Sequence, residues 1–79
     1  MYKKQIPKQY QKRLDYLSTY LRELRFNQGM TQKDLSENLN LHRNTIVRAE
    51  NGENITLLSL FELTDGLDIS LNDLFADIE

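Results

Sequence analysis

Seventy-nine residues, 39% of them hydrophobic, suit one domain with one modest core and exclude wholesale disorder. The chain has no cysteine and one histidine, His42, which excludes a disulfide staple, a thiolate nucleophile and a histidine- or cysteine-built metal site. Its formal net charge of −2 hides an asymmetry: residues 1–25 carry seven Lys/Arg against two Asp/Glu, and residues 51–79 carry seven Asp/Glu with no Lys or Arg. That pattern fits either a polyanion partner at one end or a solvated charged surface.

The N-terminal lysines precede no continuous apolar stretch, which argues against a secretory signal. No run approaches the roughly 18 apolar residues of a membrane span. The expected location is the cytoplasm, which the lack of cysteine fits. Pro7, the only proline, is well placed for the first turn of a helix, where its missing N–H is harmless. Tyr10, Leu14, Leu17, Leu21 and Leu24 then recur at spacings of 4, 3, 4 and 3, one apolar stripe on a long first helix. Gly29 is the expected left-handed residue that ends it.

A second helix is predicted from Thr31, with Thr31 and Asp34 as a capping box, Leu35 and Leu39 on its buried side, and Asn40 as its left-handed stop. Ser36 is small enough to let another helix approach. The third predicted helix runs from about Arg43 to Glu50, and Gly52 stops it. Ile46 and Ala49 lie on one side with Thr45 at its edge. At 100° per residue, Arg43, Asn44, Val47 and Arg48 gather on the opposite side. A fourth helix, about Leu57 to Asp65, is capped by Thr56 and closed by Gly66. A short fifth follows Ser70, with Asp73 completing a second capping box. The predicted core is Leu35, Leu39, Ile46, Leu60, Leu63, Leu67 and Leu74, and the class is all-α with five helices.

Two short helices joined by a three- or four-residue turn, the second with a polar outward side, describe a helix-turn-helix. An α-helix fits the major groove of DNA, where each base pair presents a distinct set of donors and acceptors. Arginine bonds guanine at two points and asparagine does the same to adenine. Arg43 and Asn44 stand in the first turn, the part of a recognition helix that reaches deepest. Arg48 follows Asn44 by one turn and faces the same way, and Val47 is placed to touch a thymine methyl. The plain alternative is a solvated polar face.

Leu21 to Phe75 resembles the phage-repressor (Xre/Cro-type) helix-turn-helix family. The resemblance rests on "LRELR" with Gly29, "MTQKDLS" at 30–36, "ENGE" at 50–53 and "LTDGLDISLNDLF" at 63–75. It implies a lambda-repressor-like five-helix domain with an extended first helix. Residues 1–16 are then an N-terminal extension, and residues 17–79 the domain, with the helix-turn-helix proper at 31–51. It implies that Arg43, Asn44 and Arg48 read base edges, beside Val47 placed there by helix geometry, and that Gln32 and Asn51 approach phosphates. It also implies a half-buried structural ion pair between Arg25 and Glu50. The family usually caps its recognition helix with serine or threonine. Here His42 stands there, a poorer cap and an alternative phosphate ligand. The usual proline before the fourth helix is absent from "NITLLS".

The C-terminal acids Asp65, Asp68, Asp73, Asp77 and Glu79 match no EF-hand spacing and read as a solvated face. Tyr2, Tyr10, Tyr16 and Tyr20 read as packing or interface residues before base-stacking ones. Phe61, Leu71, Phe75 and Ile78 exceed what a small core needs and are the expected homodimer interface. The function implied is a small transcriptional regulator occupying a roughly palindromic double-stranded operator, without catalysis and without cofactor. A repressor, a restriction-system controller and an autorepressing antitoxin with a toxin partner all fit. The alternative class is a protein-interaction module on the same scaffold.

Overall fold

The computed structural model describes residues 5–78, so Tyr2, Lys3, Lys4 and Glu79 lie outside the described residues. Among the described residues there are five helices and no strand: α1 (Lys8–Asn27), α2 (Gln32–Leu39), α3 (Arg43–Glu50), α4 (Leu57–Gly66) and α5 (Leu71–Phe75). None is long and apolar enough to cross a membrane.

Local chemistry sets the helix starts. Pro7 is the residue before α1, with φ −58° and ψ 148°, and its carbonyl accepts from the N–H groups of Tyr10 and Gln11. It therefore precedes the first turn instead of occupying it. The hydroxyls of Thr31, Thr56 and Ser70 each accept from the backbone N–H three residues on. At Thr31 the box closes, because Asp34 accepts from the Thr31 N–H at 2.9 Å. At Ser70 only the hydroxyl half forms, and Asp73 does not complete the second box predicted there.

The helix ends share one device. After α1, α2, α3 and α4 the N–H groups of Met30, Leu41, Glu53 and Ile69 reach back to the carbonyls of Arg25, Ser36, Arg48 and Thr64. The residues just before those donors, Gly29, Asn40, Gly52 and Asp68, all have positive φ. α4 corrects the prediction. Gly66 is its last helical residue, and the left-handed position falls to Asp68 at φ 56°, which a short polar side chain tolerates. Gly66 is needed for another reason: a Cβ there would overlap the end of the Leu39 side chain. Its bareness lets α2 and α4 approach.

The core is Leu21, Leu35, Ile46, Ala49, Leu60, Leu63, Leu67 and Leu74, drawn from α1 to α5 and the α4–α5 connection. Leu17, Leu24 and Leu39 are partly buried against it. The apolar stripe of α1 is shorter than its sequence pattern, since Tyr10 is 49% exposed. Its ring is instead overlain by the Arg13 guanidinium, 5.5 Å from the centroid. Tyr16 and Tyr20 meet ring against ring, 6.3 Å between centroids.

Candidate nucleic-acid interface

The connection between α2 and α3 is three residues long, and one serine clasps it. Ser36 Oγ donates to the Leu41 carbonyl at 2.6 Å, while the Leu41 N–H donates to the Ser36 carbonyl at 3.1 Å. With Asn40 left-handed between them, the chain turns sharply and α3 leaves at an angle fixed by hydrogen bonds. The capping box anchors the far end of α2. The Thr31 backbone N–H, then its hydroxyl, hold the Asp34 carboxyl below the ordinary carboxylate range.

α3 is gripped on one side by α1. Gln11, Ser18 and Arg25 stand seven residues apart, so they fall on one stripe of α1. Gln11 Nε2 donates to the Gly52 carbonyl at 2.8 Å, and Ser18 Oγ donates to the Ala49 carbonyl at 2.5 Å. Arg25 meets Glu50 with two parallel bonds, Nε to Oε2 at 2.7 Å and Nη2 to Oε1 at 2.8 Å. Its third nitrogen, Nη1, donates to the Met30 carbonyl. The bond to Glu50 raises the Arg25 pKa above its ordinary value.

The two side chains of this pair are 6% and 5% exposed, so the pair is buried, not half-buried as the sequence suggested. Gln32, from the start of α2, adds a fourth bond by donating to Glu50 Oε1 at 3.2 Å. One carboxylate on α3 thus ties three helices together.

The opposite side of α3 is open. Arg43, Asn44 and Arg48 are exposed, and Val47 is partly buried. Arg48 is turned back along the chain, with Nε 3.3 Å from Glu53 Oε1 and Nη2 donating to the Asn54 carbonyl at 3.1 Å. Asn51 is exposed and ends α3, its N–H bonded to the Arg48 carbonyl.

His42 departs from expectation. Its Nδ1 accepts from the Asn44 N–H at 3.1 Å and caps α3. Nδ1 is bonded to Cγ, as the side-chain oxygen of asparagine is, so the ring reaches the same amide that a good cap would. An imidazole nitrogen that accepts carries no proton, which leaves Nε2 as an N–H donor.

Leu71 and Phe75 are each 40% exposed and Phe61 43%, while Ile78 is partly buried beside Tyr16 and Asp77. Sequence reasoning missed two more exposed apolar residues, Leu57 and Leu58, at 69% and 67%. The signal was present. Residues 57–63 read LLSLFEL, apolar on two sides of a helix where one suffices for packing inward. Leu57 and Phe75 border one cleft of about 240 Å³, which links the apolar surfaces of α4 and α5. Also missed were the bonds from Gln11 and Ser18, since a polar residue on a helix reads as solvated until its partner is known.

Residues 21–74 match the helix-turn-helix family model. No curated protein matches the chain. Among solved structures, the wild-type restriction-modification controller protein C.Esp1396I is 35% identical, with 81% of this chain and 84% of that one covered at a TM-score of 0.71. A variant of that controller bound to its highest-affinity operator site OM gives 35% identity, coverage of 81% and 86%, and a TM-score of 0.71. The controller's tetramer on its natural 35 base-pair operator gives 34%, 81% and 86%, and 0.72.

Proposed function

Because the chain belongs to the Xre-like helix-turn-helix family, we propose that it is a sequence-specific double-stranded DNA-binding regulator of transcription that acts by occupying an operator. One observation carries the reading: α3 is held rigidly by its inward side while its outward side presents Arg43, Asn44 and Arg48 to solvent. A fixed helix with free donors in its first turn suits the major groove. In this reading Arg43, Asn44, Val47 and Arg48 read base edges, and Arg48 exchanges Glu53 for DNA on binding. Gln32, His42 and Asn51 contact phosphates, His42 through its Nε2–H.

The exposed apolar residues of α4 and α5 support a homodimer. We read Phe61, Leu71, Phe75 and Ile78, with Leu57 and Leu58, as its interface. A two-fold dimer sets two recognition helices about 34 Å apart, one turn of DNA, over a roughly palindromic site. Of the regulator types the sequence allowed, a restriction-system controller is the one the structural neighbours support. The protein is read as a binding protein of the cytoplasm, not an enzyme.

The test is selection of bound duplexes from a random-sequence pool, with sedimentation of the free protein alongside. The expected result is a recurring pair of inverted half-sites and a dimer. Recovery of unselected sequence would sink the regulator reading. A monomer at every concentration, with and without DNA, would sink the dimer.

A further inference from the structure

Arg48 already has partners on the outward side of α3, and they belong to the turn that follows it. Its Nε donates to Glu53 Oε1 at 3.3 Å, and its Nη2 donates to the Asn54 carbonyl at 3.1 Å. The turn is held where these acceptors can serve. The Glu53 N–H donates to the Arg48 carbonyl at 3.1 Å, so the two residues are also tied through the backbone. Just before Glu53, the Gly52 carbonyl accepts from Gln11 at 2.8 Å, and a Cβ on Gly52, at φ 76°, would overlap the Asp15 carboxylate. The first helix thereby braces the turn from behind. Both ends of the ion pair stay in water, with side chains 53% and 47% exposed, so the contact is weak and reversible.

Two acceptors facing one edge of a guanidinium are what guanine also offers, through O6 and N7. Glu53 and Asn54 therefore compete with a base for the same donors. The consequence falls on mismatches. A reading side chain discriminates because the wrong base leaves polar groups unpaired. Arg48 escapes that penalty. Opposite a wrong base it stays with Glu53 and Asn54, and opposite the right base it must first give them up. Both effects narrow the gap between right and wrong. Arg43 differs: it is exposed and makes no hydrogen bond or ion pair among the described residues, so nothing softens its choice.

We propose that Glu53 is a specificity-setting residue: with the Asn54 carbonyl it is a fallback partner for Arg48, which lowers affinity for the best duplex and softens preference at the base that Arg48 reads. This role rests on the DNA-binding reading, in which Arg48 exchanges Glu53 for DNA, and adds what that exchange does to selectivity.

The experiment takes the full chain as wild type, Glu53→Gln, Arg48→Ala and the double variant through selection from a random duplex pool. Affinities for the recovered duplexes are then measured by competition at one salt concentration. The position that Arg48→Ala levels is the one Arg48 reads. Glu53→Gln keeps the size of the side chain and replaces the carboxylate by a weaker, neutral acceptor. It should sharpen preference at that position by about two- to fivefold, the range an exposed ion pair supports, and tighten the best duplex by a similar factor. Glu53→Ala, which removes the side-chain acceptor, should go further in the same direction. Preferences at other positions should stay as they are. In the Arg48→Ala background, Glu53→Gln should sharpen nothing.

An unchanged preference in Glu53→Gln, even with every duplex bound equally more tightly, would make Glu53 a plain repeller of phosphates. A weakened preference would mean that Glu53 holds Arg48 in place while it reads. Either result overturns the fallback role and leaves the regulator reading intact, as does a selected sequence in which Arg48→Ala levels no position. Failure of wild type to select any sequence would overturn both.

Discussion

The two sides of α3 use the same kinds of polar residue to opposite ends. On the inward side Glu50 is 7% exposed and its oxygens take bonds from Arg25 and Gln32. On the outward side Arg48, with its side chain 53% exposed, has one ion-pair partner, Glu53, at 3.3 Å. Buried charge is costly to strand, and exposed charge costs little to redirect. The first arrangement orients a helix. The second leaves a cation free to change partners. What separates the two sides is whether water can replace a lost partner.

Breaking the inward side should produce the largest effect. Glu50→Ala strands the Arg25 guanidinium in the interior, and the expected loss of folding stability is about 3–5 kcal/mol by denaturant melts. Replacing both residues, as in Arg25→Met with Glu50→Leu, should cost far less than Glu50→Ala alone. A double replacement as damaging as the single one would mean that the pair itself, and not the stranded charge, supplies the stability.

On the outward side stability should be indifferent and recognition should not. Arg43→Ala should leave the melting curve within about 0.5 kcal/mol and relax sequence preference by about 1–3 kcal/mol in a binding competition. Gln32→Ala stands between the two sides, since its amide donates to Glu50. In the proposed reading it weakens all DNA sequences alike.

His42 sharpens the comparison because in the proposed reading its two nitrogens serve different sides, Nδ1 capping α3 and Nε2 facing DNA. His42→Ala removes the cap and should cost about 1 kcal/mol of stability. His42→Asn keeps an acceptor on Cγ and should preserve the melt while still weakening DNA binding. Equal losses of stability in both variants would show that Nδ1 contributes nothing to α3.

The smallest effect expected is an acid one at α2. Asp34 has its folded pKa lowered by Thr31, so its contribution is present above the unfolded value and is lost as pH falls through the folded one. Thermal melts should show a shallow loss below about pH 4, the ordinary aspartate range. Asp34→Asn should flatten it.

The helices were legible in the sequence because their determinants are local. Thr31 with Asp34, Thr56 and Ser70 announce starts, and Gly29, Asn40 and Gly52 announce ends, each through its own backbone. Gly66 misled because a glycine near a helix end has two explanations, and only the position of Leu39 chooses between them. Asp68 is a weak stop signal that its surroundings make effective. The burial of Arg25 and Glu50 was underestimated for a similar reason. The bonds from Ser18 and Gln11 were invisible because their acceptors are main-chain carbonyls 31 and 41 residues away, and any sequence supplies a carbonyl. Sequence periodicity found which side of α3 faces out. It gave no sign that Arg48 would bend to the Asn54 carbonyl.

The seven-residue spacing of Gln11, Ser18 and Arg25 has a thermodynamic consequence. An isolated helix needs roughly 12–15 residues to hold itself in water, and α3 has eight. α3 therefore depends on its packing against α1 and α2, so in the proposed reading folding and operator affinity are linked quantities. A duplex at a hundredfold excess over its Kd adds about 2.7 kcal/mol to the stability of the copies it occupies. In a chain with so small a core, that increment is a large share of the total. Occupied copies would open less often to proteases than idle ones, so the operator would set the lifetime of its own regulator. Protease resistance measured with and without cognate duplex reads that coupling directly.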